Sequence, residues 1–349
     1  MKVLVTGHRG YVGSVMVPML LAEGFDVVGL DIDLYRRSTF GEESQLADVP
    51  HINKDLRDIE ASDLKGIDAV FHLAALSNDP LGDLNEELTF DINWRASVRL
   101  AEAAKAAGVE RFVFASSCSN YGASGTADFL TEDGELNPIT AYGKSKVRVE
   151  QSVKPMADDH FTPTFLRFAT AYGYSPRLRF DIVVNNLMAW AYTTGKVMMK
   201  SDGTAWRPLI HVADMTRAFM AVARAPKDTV RAEVFNAGST AENYTVRQVA
   251  ELVKKTVPNS EATFGEGAGA DPRNYRVDFG KINKQLPDFK PQWTVERGCA
   301  QLYEAYQRIG ITLDDFEGIR YKRIAQIKQL SDEGMLDQNL RWRELEPAR

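Results

Sequence analysis

At 349 residues with 44% hydrophobic content, the chain can bury a full α/β core plus a smaller lobe, which excludes a disordered or disulfide-dependent chain. A formal net charge of −6, with no clustered Lys/Arg stripe beyond Arg320 to Arg323, argues against nucleic acid as a partner, and that short cluster reads as a solvated helix face. Two cysteines, Cys118 and Cys299, and five scattered histidines predict neither a disulfide framework nor a metal site. Met1 leads directly into a strand and no run is long and apolar enough to span a bilayer, so the expectation is a soluble, cytoplasmic protein with no membrane partner.

A βαβ rhythm sets in at once: strand Val3 to Thr6, a helix ending near Gly24, strand Asp26 to Leu30, then a loop through Pro50. Apolar runs at Ala69 to Ala75, Phe112 to Ala115 and Thr164 to Phe168 predict buried parallel strands, with helices over Glu86 to Ala107 and Ile139 to Met156 between them. Gly108 falls where a helix C-cap belongs, and Pro18 is a misfit inside the first helix. After Gly173 the elements shorten: helix Asp181 to Thr194, a strand near Leu209, helix Val212 to Ala223 and strand Val234 to Asn236. Thr245 and Thr294 are the expected N-caps of helices Val246 to Val257 and onward to Ile309. The expected architecture is α/β: a Rossmann-type doubly wound parallel sheet over 1–173 that later segments rejoin, a smaller α+β substrate lobe over 174–310, and a helical extension over 311–349. In that extension Ile324, Ile327 and Leu330 form a narrow apolar stripe that predicts a docked helix.

Two motifs need each other. Gly7-His8-Arg9-Gly10-Tyr11-Val12-Gly13 follows the first strand, where glycines let backbone N–H groups at a helix start approach a pyrophosphate and the helix dipole favours negative charge. Tyr142-Gly143-Lys144-Ser145-Lys146 puts a phenol and an ammonium on one helix face, where the cation lowers the phenol's pKa and makes it a usable acid/base. Together they describe an enzyme that uses a nicotinamide cofactor. On these residues the chain resembles the short-chain dehydrogenase/reductase superfamily, and its length and later half look like the extended, nucleotide-sugar-modifying branch. The resemblance fades after about Gly310.

Asp31, with Ile32 beside it, ends the second strand, where a carboxylate can accept hydrogen bonds from the adenosine ribose and repel a 2′-phosphate. That favours NAD. Arg9, Arg36 and Arg37 point the other way, since arginines there could clamp the 2′-phosphate of NADP, and the Gly7 to Ser14 stretch also looks like the loop of NADP-using GDP-fucose synthases. The resemblance further implies that Asp55 and Leu56 are the adenine-contacting pair, that Leu73, Ala74 and Ala75 let the backbone lie close to the cofactor, and that Asn93 belongs with the cofactor set as a support beside the active-site helix.

Family spacing selects Ser117, four residues before Tyr121-Gly122, as the third member of a triad with Tyr142 and Lys146. Tyr142 would move the sugar hydroxyl proton, Ser117 would orient that oxygen, and Lys146 would hold the nicotinamide ribose. Nucleotide-sugar 4,6-dehydratases of this branch carry Thr-Asp-Glu where this chain has Ser117-Cys118-Ser119, and the 3,5-epimerising members place a cysteine where Ser119 stands; Cys118 reads as a buried structural thiol. On the substrate side, Arg207 resembles the family's diphosphate-binding arginine, Asn186 and Leu187 its substrate-contacting pair, and Asp271, Arg273 and Tyr275 a late motif near the nucleotide. Thr170 stands where an asparagine is usual, and the charged stretch Ser175 to Asp181 would suit a carboxylated sugar or a salt-bridged lobe.

Three functions are compatible with this reading: an NAD-dependent nucleotide-diphosphate-sugar epimerase, most simply at C4; an NAD(P)H-dependent 4-keto-sugar reductase; and a redox-dead dinucleotide sensor, against which the Tyr/Lys pair argues. Family members commonly pair through the helices here at Glu86 to Ala107 and Ile139 to Met156, so the resemblance implies a homodimer.

Overall fold

The computed structural model describes residues 1–42, 45–77, 85–122, 128–269, 271 and 273–343. Its first half runs β1 (Lys2–Thr6), α1 (Gly13–Ala22), β2 (Asp26–Leu30), β3 (His51–Ile52), β4 (Ala69–His72), α2 (Glu86–Phe90), α3 (Ala96–Ala106), β5 (Arg111–Ser117), β6 (Phe129–Leu130), α4 (Ala141–Val153), β7 (Thr162–Phe168) and β8 (Thr170–Tyr172). The second half adds α5 (Val183–Thr194), β9 (Lys196–Ser201), β10 (Trp206–His211), α6 (Val212–Arg224), β11 (Val234–Ala237), β12 (Asn243–Thr245), α7 (Val246–Thr256), β13 (Glu261–Gly269), β14 (Arg276–Val277), α8 (Val295–Ile309) and α9 (Arg323–Asp332).

Seven parallel strands form the central sheet in the order β11-β7-β5-β4-β1-β2-β3. From β1 the chain steps outward through β2 and β3, then crosses back to β4 on the other side. That reversal opens a crevice beyond the carboxyl ends of β1 and β4. The fold is of Rossmann type, and both the glycine loop after β1 and the Leu73 to Ala75 segment after β4 border the crevice. Thr6 Oγ1 fixes the second of these, accepting the N–H groups of Leu73 (3.1 Å) and Ala74 (3.2 Å).

The strand expected to reach Ala75 stops at His72, which leaves Leu73 to Ala75 as irregular backbone in the crevice wall. The predicted helix over Glu86 to Ala107 is one rod in which Asp91–Arg95 form a π-helical turn. Such turns bulge the rod locally. Helix α1 runs through Pro18, whose ring is exposed. Thr245 and Thr294 cap α7 and α8, accepting from the N–H groups of Gln248 and Arg297.

Strand β11 pairs with β7, and α6 lays Phe219 against Phe71 and Phe168, so these later segments rejoin the central sheet. The remaining elements gather around a second core that includes Tyr172, Phe180, Leu187, Val249, Leu302 and Tyr306, with the small sheets β12-β10-β8 and β13-β9 at its side. Arg323, expected on a solvated face, is only 4% exposed: α9 docks its Ile327 and Leu330 against Leu76, which turns Arg323 inward.

Helix α4 is fastened to the sheet by a buried ion pair. Arg167 on β7 meets Glu150 through Nη2 at 2.7 Å and Nε at 3.1 and 3.2 Å, with both side chains 5% exposed. Glu150 also accepts from Ser116 Oγ (2.5 Å) and Asn120 Nδ2 (3.0 Å). Breaking such a pair strands a buried charge. Glu150→Ala is therefore expected to lower unfolding free energy by about 3–5 kcal/mol, while Glu150→Met combined with Arg167→Met recovers part of that loss. Denaturant titration of the three proteins checks it.

Candidate active site

The crevice deepens into a cavity of about 1130 Å³ that runs from Asp31 at one end to Arg207 and Arg273 at the other. That volume exceeds the range of about 300–1,000 Å³ for single-ligand pockets, which suits a site for more than one small molecule.

The glycine loop forms the floor. Gly7 has φ of +72°, and a Cβ there would meet Ala74 N at 3.0 Å; a Cβ on Gly13 would lie 2.2 Å from Gly7 O. Only glycine lets this loop close against both the β4 segment and its own start. The N-terminus of α1 has no side-chain cap and no acidic residue in its first turn, and Gly10, Tyr11, Val12 and Gly13 line the cavity there. Free N–H groups and the positive end of a helix dipole suit a diphosphate.

Both oxygens of Asp31 accept backbone N–H groups, from Arg9 (2.9 Å) and Asp33 (2.8 Å). Burial pushes its carboxyl above the usual range, and those two N–H groups oppose the shift. The arginines that could serve a 2′-phosphate have partners: Arg9 reaches Asp33 within the cavity wall (3.4 Å), Arg36 lies over the Trp342 ring (4.6 Å) and Arg37 meets Glu333 (2.8 Å). Ile32, Asp55 and Leu56 also line this end, with the Asp55 carboxylate gripped by Arg57 through Nε (2.9 Å) and Nη2 (2.7 Å).

Asn93 stands behind the wall rather than in it. Only 1% exposed, it accepts from Leu76 N (2.7 Å), donates to Leu76 O (3.1 Å) and reaches Ser145 Oγ (3.3 Å). It sits on the π turn, so the extra residue there swings its amide between the β4 loop and α4. From there it ties the Leu76 backbone to Ser145 on α4.

Ser117, Tyr142 and Lys146 all face the cavity. Thr140 caps α4, accepting from Gly143 N at 3.2 Å, which fixes where the helix begins and which face Tyr142 and Lys146 share. Lys146 is buried; its Nζ donates to Ala115 O at 2.7 Å and lies 5.5 Å from the Tyr142 ring centroid and 4.5 Å from that of Phe114. Burial lowers its pKa to about 7, with Glu150 one helical turn on pulling it back up. Ser117 Oγ accepts from Ser119 Oγ (2.8 Å) and caps the following turn through Ser119 N (3.1 Å). Ser116 turns the other way, donating to Glu150. Cys118 is 1% exposed, directs its thiol at Arg167 O (3.2 Å) and has its pKa raised by burial.

At the far end Asp271 gathers two arginines. Arg207 Nη2 meets it at 2.6 Å, and Arg273 meets it through Nε and Nη2, each at 3.1 Å. Burial would raise the Asp271 carboxyl, but Arg273 and Arg207 outweigh it and hold it below the usual range. Thr170, Asn186, Leu187 and Tyr275 line the same region, and Thr170 pairs with Leu209 so that β10 carries Arg207 alongside it. Asn186 gives its amide to Phe180 O (2.8 Å). The charges between Ser175 and Asp181 are used in ion pairs: Arg177 crosses to Asp33 (2.9 Å), and Arg179 binds Asp181 (2.8 Å) while still facing the cavity.

Sequence reasoning missed Glu150, Arg167 and the Asp33–Arg177 pair. Glu150 had a signal, since it follows Lys146 by four residues on the same helix. Arg167 and Arg177 had none, because their partners are distant in sequence.

The model of the NAD dependent epimerase/dehydratase family matches residues 3–238. The chain belongs to this family. NAD is its cofactor, in keeping with the uncapped start of α1 and the carboxylates at the Asp31 end of the cavity. Among relatives, UDP-glucose 4-epimerase of Lactobacillus helveticus is 31% identical over 84% of this chain and 92% of its own length. Among solved structures, MoeE5 in complex with UDP-glucuronic acid and NAD is 30% identical with a TM-score of 0.75, covering 88% of this chain and 99% of that one. TunA, an NAD dependent NDP-hexosamine 5,6-dehydratase, is 25% identical with a TM-score of 0.76 over 88% and 98%. About an eighth of this family member therefore has no counterpart in those two structures.

Lys146 gives the apo site a pH signature. The folded chain loses this proton near pH 7, whereas an unfolded lysine holds it to about 10.4, so the unfolded state binds more protons between those values and stability rises with pH across that window. Lys146→Met removes the buried charge. Its thermal midpoint without cofactor should exceed wild type at pH 7, with the gap narrowing toward pH 10; a gap independent of pH in calorimetry would refute this account of Lys146.

Proposed function

We propose that this chain is an NAD-dependent nucleotide-diphosphate-sugar epimerase that inverts C4 by transient oxidation of the ring hydroxyl to a ketone and hydride return to the opposite face. Bound NAD supplies the hydride acceptor and donor. Tyr142 takes the C4 hydroxyl proton and later gives it back, Ser117 orients that oxygen, and Lys146 holds the nicotinamide ribose and favours the phenolate. Arg207 and Arg273 bind the diphosphate, with Asp271 keeping the two guanidiniums together and Tyr275, Asn186, Leu187 and Thr170 shaping the pocket around nucleotide and sugar. The other cofactor contacts are those of the glycine loop, Asp31 and Ile32, Asp55 and Leu56, and Leu73 to Ala75.

The observation that carries the reading is the chemistry of the loop after β5. Removing water across C5 and C6 needs an acid and a base where this chain has Cys118 and Ser119. Cys118 is buried with a raised pKa, and Ser119 donates its hydroxyl to Ser117. What faces the cavity there can orient a hydroxyl and cannot drive an elimination. The engaged arginines at the ribose end support NAD over NADP and so support the epimerase over an NADPH-consuming reductase.

The same reading pairs two copies through α2, α3 and α4, whose helices already lie side by side with Arg148 stacked on Phe90 (4.0 Å) and Trp94 (4.8 Å). Sedimentation at assay concentration should show a dimer.

The deciding assay incubates the purified protein with UDP-glucose, UDP-galactose, UDP-glucuronic acid and UDP-galacturonic acid and follows the sugar by proton NMR and the cofactor at 340 nm. A C4 epimer pair reaching equilibrium without net NADH is expected. Tyr142→Phe should lower kcat by about 10²–10⁴-fold, the range for losing a positioned acid/base, while NAD content stays unchanged. Loss of water from the sugar, or turnover only of a 4-keto sugar with consumption of NADPH, would overturn the reading.

A further inference from the structure

The segment beyond α8 lies across the adenosine end of the cofactor crevice. Trp342 donates its indole N–H to Ile32 O at 2.6 Å, directly after the ribose-facing Asp31. Arg341 pairs with Asp58, its Nη2 at 3.1 Å, and comes within 3.9 Å of Asp55. Arg57, which grips Asp55, donates from its other side to Asn339 O at 2.9 Å. Between these clasps Leu340 enters the cavity wall, at a φ of +57° that a leucine adopts only under constraint. Upstream, α9 buries Ile327 and Leu330 on Leu76 and brings Arg323 to the same wall, stacked on Tyr35 at 4.0 Å. Arg323 donates to Arg177 O (2.9 Å), and its Nη1 is buried with no partner among the described residues.

We infer that residues 323–343 are part of the NAD site: Arg323 and Leu340 are wall residues of the dinucleotide crevice, and Arg341 and Trp342 are clasps that close it over the adenosine half and keep NAD bound between turnovers. The inference rests on the NAD site and holds whichever reaction that site serves. Every clasp grips a loop that follows β2 or β3, so the segment restrains those two loops as well as the ligand between them. A cofactor leaving by its adenosine end has to displace it.

The test measures release of labelled NAD⁺ by rapid gel filtration from wild type and from Arg341→Ala/Trp342→Ala, with thermal unfolding recorded for both. At least tenfold faster release is expected from the double variant with NAD still bound stoichiometrically at saturation. In wild type alone, saturating NAD⁺ should slow hydrogen exchange of the amides at 336–343, and this second measurement decides the matter if the variant fails to fold. Equal release rates in a folded double variant, or exchange at 336–343 indifferent to NAD⁺, would overturn the inference while leaving the epimerase assay untouched.

Discussion

The Glu150–Arg167 ion pair is the constraint on which the geometry of the site depends. It is too well buried for solvent to screen, so neither charge tolerates losing the other. One carboxylate thereby ties α4 to β7 through Arg167, to β5 through Ser116 and to the loop after β5 through Asn120. Tyr142 and Lys146 ride on α4, and Ser117 ends β5. The distance between helix and strand end, and hence the convergence of the three side chains on one cavity, is set by a group that touches none of them. The same carboxylate reaches Lys146 through space and limits how far burial lowers its pKa.

Charge is distributed along the cavity in an order that fits an extended, anionic ligand pair. Carboxylates Asp31, Asp33 and Asp55 occupy the ribose end, the uncapped start of α1 lies in the middle, and the guanidiniums of Arg207 and Arg273 close the far end. A 2′-phosphate at the first of these would meet three carboxylates already buried or bound. At the last, Asp271 holds both guanidiniums, so their rotamer freedom is restricted before any ligand arrives. Lys146, the one lysine buried among the described residues, lines the cavity between them.

Much of this was legible in the sequence because the signals were local. The glycine loop needs one strand and one helix start, the Tyr/Lys pair needs one helix, and both caps at Thr245 and Thr294 need one turn; each is decided by residues within a few positions of one another. Two readings went astray for the opposite reason. The strand after Ala69 seemed to run to Ala75 because alanines pack equally well in a strand or in an irregular wall. Arg323 seemed solvated because its burial depends on Leu76, almost 250 residues earlier in the chain. The roles of the individual site residues came from family resemblance and not from spacing.

The extension beyond Gly310 shows how such distant contacts can serve chemistry. A reductase must exchange its cofactor at every turnover, so a closed adenosine end would make release limit its rate. An epimerase restores its cofactor within the turnover and gains by never letting it go, because each loss of the reduced form strands an oxidised sugar. Surface ion pairs such as Arg37–Glu333 contribute little alone, at most about 1 kcal/mol. The segment does not depend on them: its hold comes from Ile327, Leu330 and Leu336 buried against Leu76, and the polar clasps then decide where the closed backbone lies. Apolar burial supplies the affinity of the closure and hydrogen bonds supply its register, whereas α4 is held to the sheet by a buried charge pair.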